Sequence, residues 1–357
     1  KTMAVKQVIF RISIPKEKPG DDKRTLTKEI IQAHIALAET FFSTLGSLRP
    51  PGFFKRIFYG REDHFSLEIV AHRGFIFFYA AVPGAFSTFF EQQLHAQYPE
   101  SFIEQVFDYN IFQPNGVIRV ALLTLRRAAF LPLKTYKKFD TDPLQAITNT
   151  LSNVGPSEGA AIQIMLRPTT QAWHSRGLRV ARALKKGKKF SYALRIGTRG
   201  IFGRIFWFLL EEGARQAQEK NRDRDEISRL TPLEEELMRS LEEKSSKAGL
   251  ETTVRVVVSS IKERAESLLD NITNAFAEFS VYEYGNSFQA IRPSNPYRVI
   301  RDFIHRNFSG LHSMILNTEE LASLFHLPGS WIETPNISWL SARTLPIPVD
   351  MPTSGLL

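Results

Sequence analysis

The stretch VKQVIFRISI (Val5 to Ile14) puts Val8, Phe10, Ile12 and Ile14 on one side, the period of a half-buried strand. The period then changes: TLTKEIIQAHIALAETFFSTL carries a helical stripe of Ile30, Ile31, His34, Leu37, Ala38 and Phe41, stopped by Gly46 and Pro50. FSLEIVAHRGFIFFYAAV reads as two strand-forming runs broken at Arg73–Gly74, a hairpin signal. Pro83 is expected to open a helix through Tyr98, and SFIEQVFDYNIF returns as a strand.

The same order recurs. GVIRVALLTLRRAAFLPL is a strand, and Asp142–Pro143 is an N-cap with Pro at the first helical position before PLQAITNTLSNV. EGAAIQIMLRP and LETTVRVVVSS are strands, KERAESLLDNITNAFAEF a helix, and NSFQAIRP a strand. Strand-helix-strand-strand-helix-strand, twice over, is the strongest constraint on the fold. It predicts an α+β protein of two tandem ferredoxin-like sandwiches, residues 1–115 and 116–325, followed by an extended connector over 326–357. The middle hairpin of the second unit is opened by an insertion over 169–249, read as paired helices, with Thr231 and Glu234 forming a capping box around Pro232.

The insertion also holds the charge. Between Gln171 and Leu210 lie Arg176, Arg179, Arg182, Lys185, Lys186, Lys188, Lys189, Arg195, Arg199 and Arg204, ten bases without one acid; the remainder has 36 bases and 37 acids. Whatever the net +9 means, it means it there. The run ends in IFGRIFWFLL, whose Phe206, Trp207 and Phe208 are too few and too close to Arg204 to span a bilayer. Three uses compete: an interfacial helix on anionic lipid, a contact to nucleic-acid phosphates, and a solvated arm packed on its own second helix. The expectation carried forward is that Arg176 to Leu210 faces a membrane.

No catalytic pattern converges. The chain has no cysteine, so disulfides, thiolate chemistry and Cys-ligated zinc are excluded. There is no phosphate-cradling glycine loop with its Lys, no nucleophile elbow, and no carboxylate at ligand spacing from His64 or His72. The chain is read as non-catalytic by itself, with no cofactor. RGFIFFYA (Arg73 to Ala80) is similar to the RNA-binding strand of RNA-recognition motifs, with Arg73, Phe75, Phe77 and Tyr79 on one face. Ile76 and Ala80 depart from that pattern, and the face is expected to be mostly covered by protein.

The last stretch, LFHLPGSWIETPNISWLSARTLPIPVDMPTSGLL, has Pro335, Pro346, Pro348 and Pro352 and no periodic face. Such a segment runs extended over something, and Trp331 and Trp339 are its expected anchors. EQQLHAQYPE (Glu91 to Glu100), TDPLQAITNTLSNVGPSEGAAIQIMLRP (Thr141 to Pro168) and LNTEELASLFHLPGSWIETPNISWLSARTLPIP (Leu316 to Pro348) resemble the region ahead of the motor in bacterial conjugation and type IV secretion ATPases of the FtsK–HerA class. The similarity spans nearly the whole chain except the insertion, and none of its motifs is catalytic. It implies an assembly domain of a DNA-translocating machine, cytoplasmic and peripheral at the inner face of the cell membrane. The implied partners are a downstream ATPase domain, neighbouring subunits of a ring and an anionic membrane surface. DNA is implied as the cargo of the whole machine. A chain that opens at Lys1 is expected to be a piece of a longer protein.

Overall fold

A computed structural model describes residues 7–16, 27–48, 63–169, 173–186, 231–281 and 285–340. The first half runs β1 (Gln7–Ser13), α1 (Lys28–Ser47), β2 (Phe65–His72), β3 (Phe75–Pro83), α2 (Ser87–Gln97) and β4 (Phe102–Val106). The second runs β5 (Val117–Leu125), α3 (Leu144–Leu151), β6 (Gly159–Pro168), α4 (His174–Lys185), α5 (Pro232–Ser246), β7 (Gly249–Ser260), α6 (Lys262–Asn274) and β8 (Phe288–Ile291). Three further elements complete it: α7 (Pro296–Ile304), β9 (Met314–Asn317) and α8 (Thr318–Leu324).

The fold is mixed α+β, with eight helices and one nine-stranded antiparallel sheet among the described residues. Strand order is β4-β1-β3-β2-β6-β7-β5-β8, with β9 paired to β7. The halves do not form separate sheets. Strand β2 joins β6 over its whole length, from Phe65↔Leu166 to His72↔Gly159. The expected boundary at 115–116 lies in the linker from β4 to β5, which packs Tyr109, Ile111 and Phe112 against one sheet face.

Alternation sorts each strand between two faces. One face carries the main core: Leu67, Ile69, Phe78, Ile162, Ile164, Val254 and Val256 meet α1, α2, α3, α6 and α8 through Ile35, Phe90, Ile147, Leu269 and Leu321. Each such side chain contributes roughly 1.5–3 kcal/mol by leaving water. The other face, with Val70, Tyr79, Ala161 and Val257, is covered by Ile111 of the linker and by Val299 and Phe303 of α7.

Several sequence expectations shift locally. Pro83 ends β3 instead of opening a helix; a 3-10 turn, Gly84–Phe86, intervenes before α2. The Arg73–Gly74 hairpin forms with φ of 54° and 80°, and the second residue is one that adopts positive φ without steric cost. Asp142 caps α3 as expected, accepting from the Leu144 amide at 2.8 Å.

Candidate functional site

Three regions carry sequence-based assignments: the basic excursion, the proline-rich connector and the aromatic strand. In the excursion, α5 starts at a full capping box, Thr231 accepting from the Glu234 amide while the Glu234 carboxylate accepts from the Thr231 amide at 3.0 Å. Helix α4 lays Val180, Ala181 and Leu184 on Leu237 and Leu241 of α5 and on Phe130 and Leu131. That sealed face leaves Arg176, Arg182, Lys185 and Lys186 exposed on the outer side, with Arg179 half-buried between. Lys188, Lys189, Arg195, Arg199, Arg204, Phe206, Trp207 and Phe208 lie outside the described residues. No helix among the described residues is long and apolar enough to cross a membrane.

The connector runs extended, and its anchors are specific. Trp331 donates its indole N–H to Asp142 Oδ2 at 2.9 Å and meets the His34 ring edge-on at 5.1 Å between centroids. Its ring lies against Gly329 so closely that a Cβ there would stand 2.3 Å from Cζ2. Asp142 Oδ1 faces His326 Nε2 at 2.9 Å, and His326 Nδ1 faces the Ala322 carbonyl at 2.8 Å. Both ring nitrogens thus face acceptors, and the ring ties the end of α8 to the start of α3. Burial opposes ionisation of Asp142, yet His326, Trp331 and the Leu144 amide together hold its carboxyl below the ordinary range.

Further along, Thr334 is buried against Thr148 at 2.8 Å. The backbone then bonds to β3: the Ile76 amide donates to Asn336 O at 2.8 Å and Ser338 donates to Ile76 O at 2.9 Å. Leu340 donates to Ile14 O beyond the end of β1. Trp339 is half-buried, with the Lys16 ammonium 5.4 Å from its ring centre. The connector therefore runs over α3 and the ends of β1 and β3. Residues 341–357 lie outside the described set.

The aromatic strand is split in exposure. Tyr79 is buried under Tyr109 of the linker, their rings stacked at 4.7 Å, and Phe77 is half-buried beside His72. Phe75 is 53% exposed, and Arg73 is exposed at the turn. The expectation of a mostly covered face thus holds at Tyr79, half holds at Phe77 and fails at Phe75. The reason is geometric: the linker crosses at Tyr109, one pleat row or more beyond the start of β3.

Next to Tyr79 lies a polar arrangement that single-strand patterns did not disclose. Strand register places Glu104, Arg11, Tyr79, Glu68, Gln163 and Arg255 in one row across the sheet. Glu68 Oε1 accepts from Ser66 (2.6 Å), Gln163 (2.8 Å) and Arg306 Nε (3.0 Å). Its Oε2 accepts from Tyr109 (2.7 Å) and Arg306 Nη2 (3.2 Å). Arg306 also forks onto Asp108, at 2.7 and 2.8 Å, from a backbone φ of 50°. Burial pulls Arg255 down to about 10, where it is still cationic at neutral pH, and its guanidinium bonds Gln163 at 2.7 Å and the Asp302 and Asn307 carbonyls. Both carboxylate oxygens of Glu68 are thus engaged, so the row clamps the linker and the end of α7 to the sheet and leaves no lone pair poised for proton transfer.

A second buried cluster does the same on the helix side. Lys244 pairs with Glu320 at 2.7 Å, and Glu319 takes Lys137 at 2.9 Å together with Lys247 and Thr135. Among the described residues, no group of three or more His, Asp or Glu converges as a metal ion requires.

No curated protein matches this chain. A family model described as a domain of unknown function (DUF8128) matches residues 34–340, from the middle of α1 to the end of the anchored connector. With most of its length matched, the chain belongs to that family.

Proposed function

We propose that the protein is a non-catalytic assembly domain that works at a membrane surface, as part of a DNA-translocating ATPase of the conjugation or type IV secretion class. The observation that carries this reading is α4: one side is sealed on α5, while Arg176, Arg182, Lys185 and Lys186 stand outward as one cationic face. Basic residues near an anionic leaflet contribute roughly 1 kcal/mol each, weakened by salt. The engagement of both Glu68 oxygens, and of Glu319 and Glu320 by Lys137, Lys247 and Lys244, supports a scaffold role. In this reading each half is a ferredoxin-like unit, supported by the order β4-β1-β3-β2 in one and β8-β5-β7-β6 in the other. The anchored connector is the element through which a motor domain would be held, with like subunits as neighbours. The protein then sits at the cytoplasmic face of the cell membrane.

Co-sedimentation with anionic vesicles tests the reading. The protein should pellet with them at low salt and not with neutral vesicles. Replacing Arg176, Arg182, Lys185 and Lys186 by Gln should weaken binding at least about tenfold. Changing Phe206, Trp207 and Phe208 to Ser should weaken what remains at high salt, because apolar burial is not screened. Indifference to vesicles at low salt, or equal loss of duplex-DNA binding in the aromatic variant, sinks it.

A further inference from the structure

The sheet face opposite the main helix layer is unevenly covered. Tyr109, Ile111 and Phe112 of the linker and α7 lie over its centre and far half, while β4, β1 and the start of β3 present side chains outward. Two large apolar groups are exposed on this open part, Phe75 at 53% and Phe102 at 42%. Phe102 pairs with Ser13 on β1, and continuing the β1–β3 register past Ile12↔Phe78 sets Phe77 on the other side of Ser13. Phe102 and Phe77 are thus two strands, about 10 Å, apart, and Phe75 comes one pleat further along β3.

Phe75, Phe77 and Phe102 share one face of the sheet. Phe75 and Phe77 touch edge to face, their centroids 6.4 Å apart, and such an aromatic surface suits planar bases, which stack on aromatic side chains whatever their identity. The charge on this face fits the same ligand. Arg11 is matched by Glu104, Arg167 by Glu251, and Arg306 by Glu68 and Asp108. Arg298 and Arg301, by contrast, share one carboxylate, Asp302, at 3.9 and 3.8 Å, and Arg73 is exposed beside Phe75. The exposed rim is therefore cationic and interleaved with aromatics.

We propose that this face binds single-stranded nucleic acid, with bases on Phe75, Phe77 and Phe102 and phosphates on Arg73, Arg298 and Arg301. Strand spacing puts β1 and β7 about 20 Å apart, within the reach of a strand of about twelve nucleotides. The site lies on the sheet and not on α4, so it stands or falls apart from the membrane reading.

The test is fluorescence anisotropy of the full chain with a labelled oligothymidylate of about twelve residues. Binding is expected at low salt. Phe75→Ala with Phe102→Ala should weaken it at least about tenfold, and because both rings are only about half buried the variant should stay folded, with an unchanged far-UV circular dichroism spectrum. Arg298→Gln with Arg301→Gln should weaken it less and flatten its salt dependence. Gln substitutions at Arg176, Arg182, Lys185 and Lys186 should leave it within about twofold. The proposal is overturned by no binding at low salt, by binding that the aromatic variant retains, or by equal affinity for a duplex of the same length. It is also overturned if Phe75 and Phe102 prove to be needed for anionic vesicles instead.

Discussion

Glu68 and Glu278 show how differently one carboxylate can be used in a single chain. Glu68 is completely buried with every oxygen engaged, so Glu68→Gln leaves Arg306 with only Asp108 as a counter-charge. Breaking such a buried pair costs about 3–5 kcal/mol, and denaturant titration of Glu68→Gln should show a loss of that size. Burial pushes the Glu278 carboxyl up to about 7 from an ordinary 4.5, with Lys134 opposing and Asp142 adding to the shift. The folded state therefore holds a proton that the unfolded chain releases near pH 4.5, and stability falls as pH rises from about 4.5 to about 7. Glu278→Gln should remove that fall. Melting temperatures of the variant and parent should agree near pH 4 and separate in the variant's favour by pH 7.5; parallel profiles would refute the assignment.

At the level of elements, what could be read from the chain was what local chemistry decides. The alternation in VKQVIFRISI, the Thr231–Glu234 box and the Arg73–Gly74 turn are short-range signals, and each formed where expected. Helix α7 carries an equally local signal, Asn295 accepting from the Arg298 amide with Pro296 in the first turn, at a place where the repeated strand-helix order predicts no helix. The row from Glu104 to Arg255 was not legible. It depends on which strands pair and in what register, and no single strand encodes its neighbour. The connector was readable as extended, and its anchor at Trp331 as an aromatic, but not the buried Asp142–His326 pair beneath it. Asp142→Asn should weaken the acceptor that His326 Nε2 and the Trp331 indole share and so loosen the connector. A loss of about 1–3 kcal/mol is expected, together with a red-shifted tryptophan emission as Trp331 gains water. An unshifted spectrum in a destabilised variant would mean that Asp142 matters for α3 alone.

For the whole molecule, the continuous sheet implies one cooperative unit. Strand β2 is buried along its full length and shares its ladder with β3 on one side and β6 on the other. Chemical unfolding followed by far-UV circular dichroism and by tryptophan emission should give coincident transitions. Two separated transitions would show that the β2–β6 junction is weak. The same junction has a consequence for dissection. Strands β2 and β6 hold the same place in the chain order of their halves, and they meet antiparallel, as two copies of one strand do across a two-fold axis. On the proposed reading of each half as a ferredoxin-like unit, the chain is arranged as a symmetric dimer would be with its two protomers joined in tandem, and the excursion, α7, β9 and α8 belong to one half only. Residues 1–115 expressed alone would bare β2 as an open edge, with one natural remedy: to pair with the β2 of another molecule.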